Sequence, residues 1–146
     1  MAQDAIELLE ADHQRAEALF RDFQASRAEP AAKLDLAQII CMELTLHATL
    51  EEELFYPALA QASGDQQAVQ HAQEEHQQVK ELIAQVPQAP DLDAAMKQVT
   101  DTMLRHIQEE RLMLFPQARS SGVDLDALGR QIERRKAEFA AVHQEA

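Results

Sequence analysis

The apolar positions of this chain fall into stretches with helical spacing. In the first, Ile6, Leu9, Ala16, Phe20 and Phe23 recur at alternating intervals of three and four, with His13 in line among them. That spacing predicts an amphipathic helix with a bundle-type seam from Asp4 to about Arg27. Pro30 suits the first turn of a second helix, about Ala31 to Gln61, whose seam is Leu36, Ile40, Leu44, His47, Glu51, Leu54 and Ala58. Pro57 falls late in this pattern and predicts a kink or a loosened last turn. Ala62-Ser63-Gly64-Asp65 is a break. A third helix, about Gln66 to Val86, has the seam Val69, Ala72, His76, Val79, Ile83, Val86. Pro87-Gln88-Ala89-Pro90-Asp91 ends it, and Asp91 or Asp93 can cap the next helix.

The fourth helix covers about Leu92 to Arg119, with seam Leu92, Met96, Val99, Met103, His106, Glu110 and Met113. Ser120-Ser121-Gly122 closes it. A more charged segment from Asp124 to about Ala141 carries Val123, Leu125, Leu128, Ile132 and Phe139 on one side. Short connections make consecutive helices antiparallel neighbours. The expected fold is therefore all-α: an up-down-up-down four-helix bundle with a short C-terminal fifth helix lying against it. Residues 1–146 form one domain, with the bundle at about 4–119 and the last helix at about 124–141.

Composition narrows the function classes. The chain has 146 residues, 46% hydrophobic and 27% charged, with only 3 Gly and 5 Pro, so long uninterrupted elements and a substantial core fit. Its formal net charge of −13 repels nucleic acid and anionic membrane surfaces, and is the charge of a solvated helix surface. The single Cys41 excludes an intramolecular disulfide framework, and in Ile39-Ile40-Cys41-Met42 it reads as a small buried hydrophobe. No basic and apolar leader pattern is seen at the N-terminus, and no apolar run is as long as a membrane span; the expected location is cytoplasmic.

Six polar residues occupy seam positions where leucines belong: His13, His47, Glu51, His76, His106 and Glu110. Two of the four segments share one motif. His47-Ala48-Thr49-Leu50-Glu51 and His106-Ile107-Gln108-Glu109-Glu110 are each His-x-x-x-Glu, followed by an apolar cluster with an aromatic, then Pro57 or Pro116. Positions i and i+4 lie on one helix face, so each motif offers an imidazole and a carboxylate to one point. The first and third helices share a His-Gln pattern, and 34 residues separate His13 from His47 against 30 between His76 and His106. A duplicated helix pair related by a pseudo-twofold gives a two-centred site. A lone histidine on an apolar face is an ordinary core residue. Four on different helices with two carboxylates form either a buried hydrogen-bonded network or a cation site. Imidazole with carboxylate suits iron, manganese or zinc, and the lack of thiolates argues against a closed structural zinc site.

With these motifs the chain resembles the hemerythrin-like HHE cation-binding domains, over most of its length. That family's pattern of one His, His-x-x-x-Glu, a second His, and His-x-x-x-Glu is matched by His13, by His47 with Glu51, by His76, and by His106 with Glu110. The resemblance implies a non-haem di-iron centre inside the bundle, with two Fe ions bridged by carboxylate and by an oxo or hydroxo group, and Zn or Mn as substitutes. It implies that Glu51 and Glu110 bridge, that His13 and His47 serve one iron, and that His76 and His106 serve the other. Two departures set it apart from the oxygen-carrying hemerythrins. Those place two histidines four apart on the third helix, whereas Ala72 stands four before His76. His71, five before, lies about 140° around a regular helix and reads as a surface or supporting residue. The fourth helix also uses His-x-x-x-Glu where the carriers have a wider His-to-Asp spacing. The iron at His76 and His106 is thus expected to keep an open position.

The partner implied is a small diatomic ligand (O2 or NO) or peroxide, with no nucleic acid and no membrane. The function is binding of, or reaction with, that ligand. A peroxide-consuming, catalase-like oxidoreductase and an iron-holding or iron-donating protein are the alternatives. Packing is the expected role of Tyr56 and of Met96, Met103 and Met113. Glu52, Glu53 and Glu109 are expected to face solvent, with Glu52 as a candidate extra ligand, and His143 is expected to be solvated. Ferritin-like carboxylate proteins use Glu-x-x-His pairs, which only Glu10 with His13 matches.

Overall fold

The computed structural model describes residues 3–145, with side chains as far as Val142; His143 therefore lies outside the described side chains. The first helix is α1 (Ala5–Ala25), opened by a capping box in which Asp4 and Glu7 exchange hydrogen bonds between side chains and backbone. Pro30 starts α2 (Pro30–Leu50), which runs through a π-helical turn, π1 (Glu51–Phe55), into α3 (Tyr56–Ser63). Gly64, at φ 72°, closes α3 in the left-handed conformation that glycine adopts without strain, and Asp65 caps α4 (Gln66–Gln85). A single 3-10 turn at Val86–Gln88 leads to α5 (Leu92–Glu109), capped by Asp91. A second π turn, π2 (Glu110–Leu114), joins it to α6 (Phe115–Ser120), and α7 (Leu125–Glu145) follows. No strand occurs among the described residues.

The long helices pack in a ring, α1 against α2, α2 against α4, α4 against α5 and α5 against α1, while α3 lies against α6 and α7 against α1 and α2. This is the expected four-helix bundle with a fifth helix on its flank. The approach of α7 is set by Gly129: a Cβ there would stand 2.7 Å from the Gln3 carbonyl oxygen and 3.1 Å from the Ala5 nitrogen.

The loosened turn expected near Pro57 is π1, and Pro116 has a twin in π2. Proline cannot donate the helical hydrogen bond and crowds the preceding turn. Here the backbone N–H of Tyr56 donates to the Glu51 carbonyl, and that of Phe115 to the Glu110 carbonyl, each spanning five residues. The helix then restarts with proline in its first turn, where no donor is needed. The extra residue in each wide turn shifts the inward face by one position. Downstream of Glu51 the buried residues are Phe55, Tyr56 and Leu59 rather than the expected Leu54 and Ala58. Downstream of Glu110 they are Leu114, Phe115 and Ala118, and Met113, expected in the core, is 63% exposed. Two apolar clusters make up the core on either side of the centre, with Cys41 buried as expected against Met96.

Candidate metal centre

All six seam residues are buried, Glu51, His106 and Glu110 completely. They form two groups of four: His13, His47, Glu51 and Glu110 in one, and Glu51, His76, His106 and Glu110 in the other. Within each group one ligand atom from every residue lies within 4.8 Å of the others. The two groups share both carboxylates. Glu51 Oε1 stands 3.2 Å from His47 Nε2 and 3.1 Å from His76 Nε2. Glu110 Oε1 stands 2.9 Å from His13 Nε2 and 3.4 Å from His106 Nε2. The Nε2 atom of every ring faces the centre.

The outer nitrogens face carboxylates. Glu10 Oε1 lies 3.2 Å from His13 Nδ1, Asp12 Oδ2 2.8 Å from His47 Nδ1, Glu52 Oε2 3.4 Å from His76 Nδ1, and Glu75 Oε1 2.9 Å from His106 Nδ1. A carboxylate hydrogen-bonded behind an imidazole fixes ring orientation and leaves the opposite nitrogen to the ligand it faces, as for His13, His47 and His106; His76 Nδ1 and Glu52 Oε2 face each other without a hydrogen bond. The supports are themselves held: Arg111 reaches from π2 to Glu10 and Glu17, Lys136 from α7 to Asp12, and Lys80 to Glu52.

Inward, hydrogen bonding is incomplete. His13 Nε2, His47 Nε2, Glu51 Oε2 and Glu110 Oε1 are buried without a hydrogen-bond partner, and the 2.9 Å approach of His13 to Glu110 is too poorly aligned to make one. Buried polar atoms are normally satisfied, so orphans aimed at one point mark a place for a cation. Electrostatics agrees. Burial opposes charging His47, but the Glu51 and Asp12 carboxylates outweigh it and raise its pKa to about 10. His106 is likewise raised against burial, by Glu110, Glu51 and Glu75. Burial raises the Glu51 carboxyl, yet the surrounding imidazoles hold it well below the usual range. In the metal-free chain, protons on imidazole balance the buried carboxylates that a cation would otherwise neutralise. The donor set fits a divalent metal of the iron, manganese or zinc type.

Residues 4–118 match the hemerythrin HHE cation binding domain. The chain belongs to that family. A solved structure of a hemerythrin HHE cation binding domain-containing protein from Mycobacterium kansasii shares the fold of this HHE domain, with a TM-score of 0.82 at 20% identity over 96% of this chain and 89% of that one. A protein of Nostoc sp. strain PCC 7120 named DNA nickase is 29% identical over 123 residues. That match covers 82% of this chain but only 34% of the Nostoc protein, so the HHE domain spans about a third of its relative's length.

Several residues of this HHE domain differ from the sequence reading. Tyr56, expected only to pack, puts its hydroxyl into the centre. It donates to Glu110 Oε2 at 2.8 Å and stands 3.1 Å from His76 Nε2 and 3.3 Å from His106 Nε2. It stands beside His76 and His106, the pair whose iron was expected to keep an open position. Burial, with Glu51 and Glu110 nearby, raises its pKa well above the usual tyrosine value. Its counterpart in the second motif is Phe115, which stacks on His13 at 5.4 Å. The π turns bring both five-removed aromatics onto the face of their Glu, which a regular helix does not do. Glu52 is only partly exposed and lies against the outer nitrogen of His76, not among the inner donors. Glu10 likewise meets the outer nitrogen of His13. Glu53 does lie near the surface, paired with Arg135. His71 is 62% exposed, 3.2 Å from Glu109 and outside the buried groups. Asp12 and Glu75 were missed. Each precedes a centre histidine in sequence but supports the histidine of the neighbouring helix, a pairing with no spacing signal.

Proposed function

We propose that this HHE domain holds two iron ions, one in each group of four, and uses them to bind or react with O2, NO or peroxide. His13 and His47 are assigned to one ion, His76 and His106 to the other, and Glu51 and Glu110 to both. The observation that carries this reading is the pair of four-residue groups sharing two carboxylates, with every Nε2 inward and every Nδ1 facing an acid. When bound, iron would supply Lewis-acid and one-electron redox chemistry towards a small ligand. The same reading takes the bundle and α7 as a single domain.

The chain's own residues divide the two halves. A cavity of about 260 Å³ reaches His13 and His47, walled by Ala16, Leu19, Ile40, Leu44 and Met103. Its apolar wall suits a small, weakly solvated ligand, and the Arg15–Glu43 ion pair lies at its edge. On the other side, the Tyr56 hydroxyl and the surrounding core close off His76 and His106. Tyr56 holds a proton at Oη against Glu110 Oε2 and excludes water there. That buried hydroxyl is what favours the second reading, a peroxide-consuming oxidoreductase, because it places a hydrogen-bond donor within the site. The net charge of −13 repels a polyanion and disfavours nucleic acid as a partner.

The test is metal analysis joined to absorption spectra of aerobic and reduced protein, with a peroxide-consumption assay alongside. Two irons per chain and a visible band that changes with reduction and ligand are expected. One ion or fewer, with all six residues intact, rejects the paired centre. Peroxide consumption no faster than free iron rejects the oxidoreductase and leaves a binding protein. Chelation should lower the melting temperature and iron should restore it.

A further inference from the structure

A third set of donors lies outside the buried pair, at the surface between α4 and α5. His71 and Glu75, one turn apart on α4, meet Glu109, the last residue of α5, and a ligand atom from each lies within 4.8 Å of the others. His71 Nε2 is 3.2 Å from Glu109 Oε2 and 3.6 Å from Glu75 Oε2. Two donors bound at about 2.1 Å to one ion stand roughly 3.0 Å apart at a right angle and roughly 3.4 Å apart at the tetrahedral angle. The observed spacings thus need only small side-chain adjustments.

A second observation points to an occupant. Glu75 is 6% exposed, and its Oε1 is engaged by His106 Nδ1 at 2.9 Å. Its Oε2 accepts no hydrogen bond among the described residues and is turned towards His71. Among the described residues neither Glu75 nor Glu109 pairs with a lysine or arginine; the side chain they share is the imidazole of His71. Two carboxylates converging on one imidazole place like charges side by side, an arrangement that a cation relieves.

We propose that His71, Glu75 and Glu109 bind a third divalent cation at the surface, separate from the buried centre. One imidazole and two carboxylates suit a first-row ion such as Zn2+ or Mn2+, and the exposure of His71 leaves positions for water. The site does not require the assignment of iron to the interior. It does share a residue with it, since Glu75 faces His106 with one oxygen and the outer ion with the other.

The probe is Zn2+. Iron-loaded protein is equilibrated with limiting to excess Zn2+, freed of unbound metal, and analysed for zinc and iron together, for wild type, His71→Ala and Glu109→Gln. Wild type should carry one zinc more per chain than either variant. Each variant should weaken that zinc by about tenfold or more, the loss known for groups one shell further out. Retained iron and the melting temperature should match wild type, which excludes misfolding as the cause. Zinc uptake equal in all three proteins overturns the outer site while leaving the buried reading untouched. If the interior instead holds no iron, zinc enters it in every protein, and the difference between wild type and variants still counts the outer ion.

Discussion

Replacing Tyr56 by Phe removes one oxygen and leaves the ring that packs in the core. In the metal-free protein that oxygen donates to Glu110 Oε2 at 2.8 Å, and both residues are fully buried. Deleting a donor to a buried carboxylate costs about 1.5–3 kcal/mol, because the acceptor keeps its desolvation penalty and loses its compensation. The ring volume is nearly unchanged, so no cavity contribution adds to this. For a chain of this size 1 kcal/mol moves the melting temperature by roughly 2–4 °C, so a loss of about 2 kcal/mol predicts a fall of about 4–8 °C. Metal changes the sum. If a cation takes Glu110, the carboxylate is satisfied without the phenol, and the Tyr56→Phe penalty in loaded protein should shrink to less than half. The assay is scanning calorimetry of wild type and variant, each chelated and each reloaded. A metal-free variant melting within about 1 °C of wild type would refute the reasoning, since Glu110 would then have no need of the hydroxyl. An equal penalty in both states would show that Glu110 is not a metal ligand.

Five further outcomes follow from the same geometry. Asp12→Ala, by freeing the His47 ring, should weaken metal binding about 10–100-fold in a chelator competition, with unchanged affinity marking the contact as incidental. Metal loading at pH 7.5 should release about two protons per chain in a pH-stat, from His47 and His106, both raised above the usual histidine value. By the same sign, charged His47 stabilises the metal-free fold fully below about pH 6.5, and this is lost as pH rises through about 10, so metal-free protein should melt lower at pH 10.5 than at 7. Gly129→Ala should cost about 1–3 kcal/mol in denaturant unfolding, since its Cβ meets backbone at 2.7 Å and α7 must move off α1. The register of π2 is read by a pair: Leu114→Ala should cost about 2–5 kcal/mol and Met113→Lys less than about 0.5, with the reverse order indicating a regular helix.

The bundle and the six inward residues were legible in the sequence because helical periodicity is local. Apolar residues at intervals of three and four define a face, and His47 with Glu51, or His106 with Glu110, fall on it whatever else the chain does. The breaks were legible for the same reason, since Pro30, Gly64 and Asp91 act on their own turns. What lay beyond the sequence began one residue after each Glu. The wide turns before Pro57 and Pro116 shift the helical phase, so Met113 went outward and Tyr56 inward. A period of 3.6 carried through those prolines could not foresee either. The supports for the rings were also hidden, because Asp12 serves His47 and Glu75 serves His106 across helix pairs. Side-chain reach between neighbouring helices depends on their rotation and stagger, which interhelical packing decides. His71 shows the division most clearly. Helical phase excluded it from the interior, but only the packing of α4 on α5 set it beside Glu109.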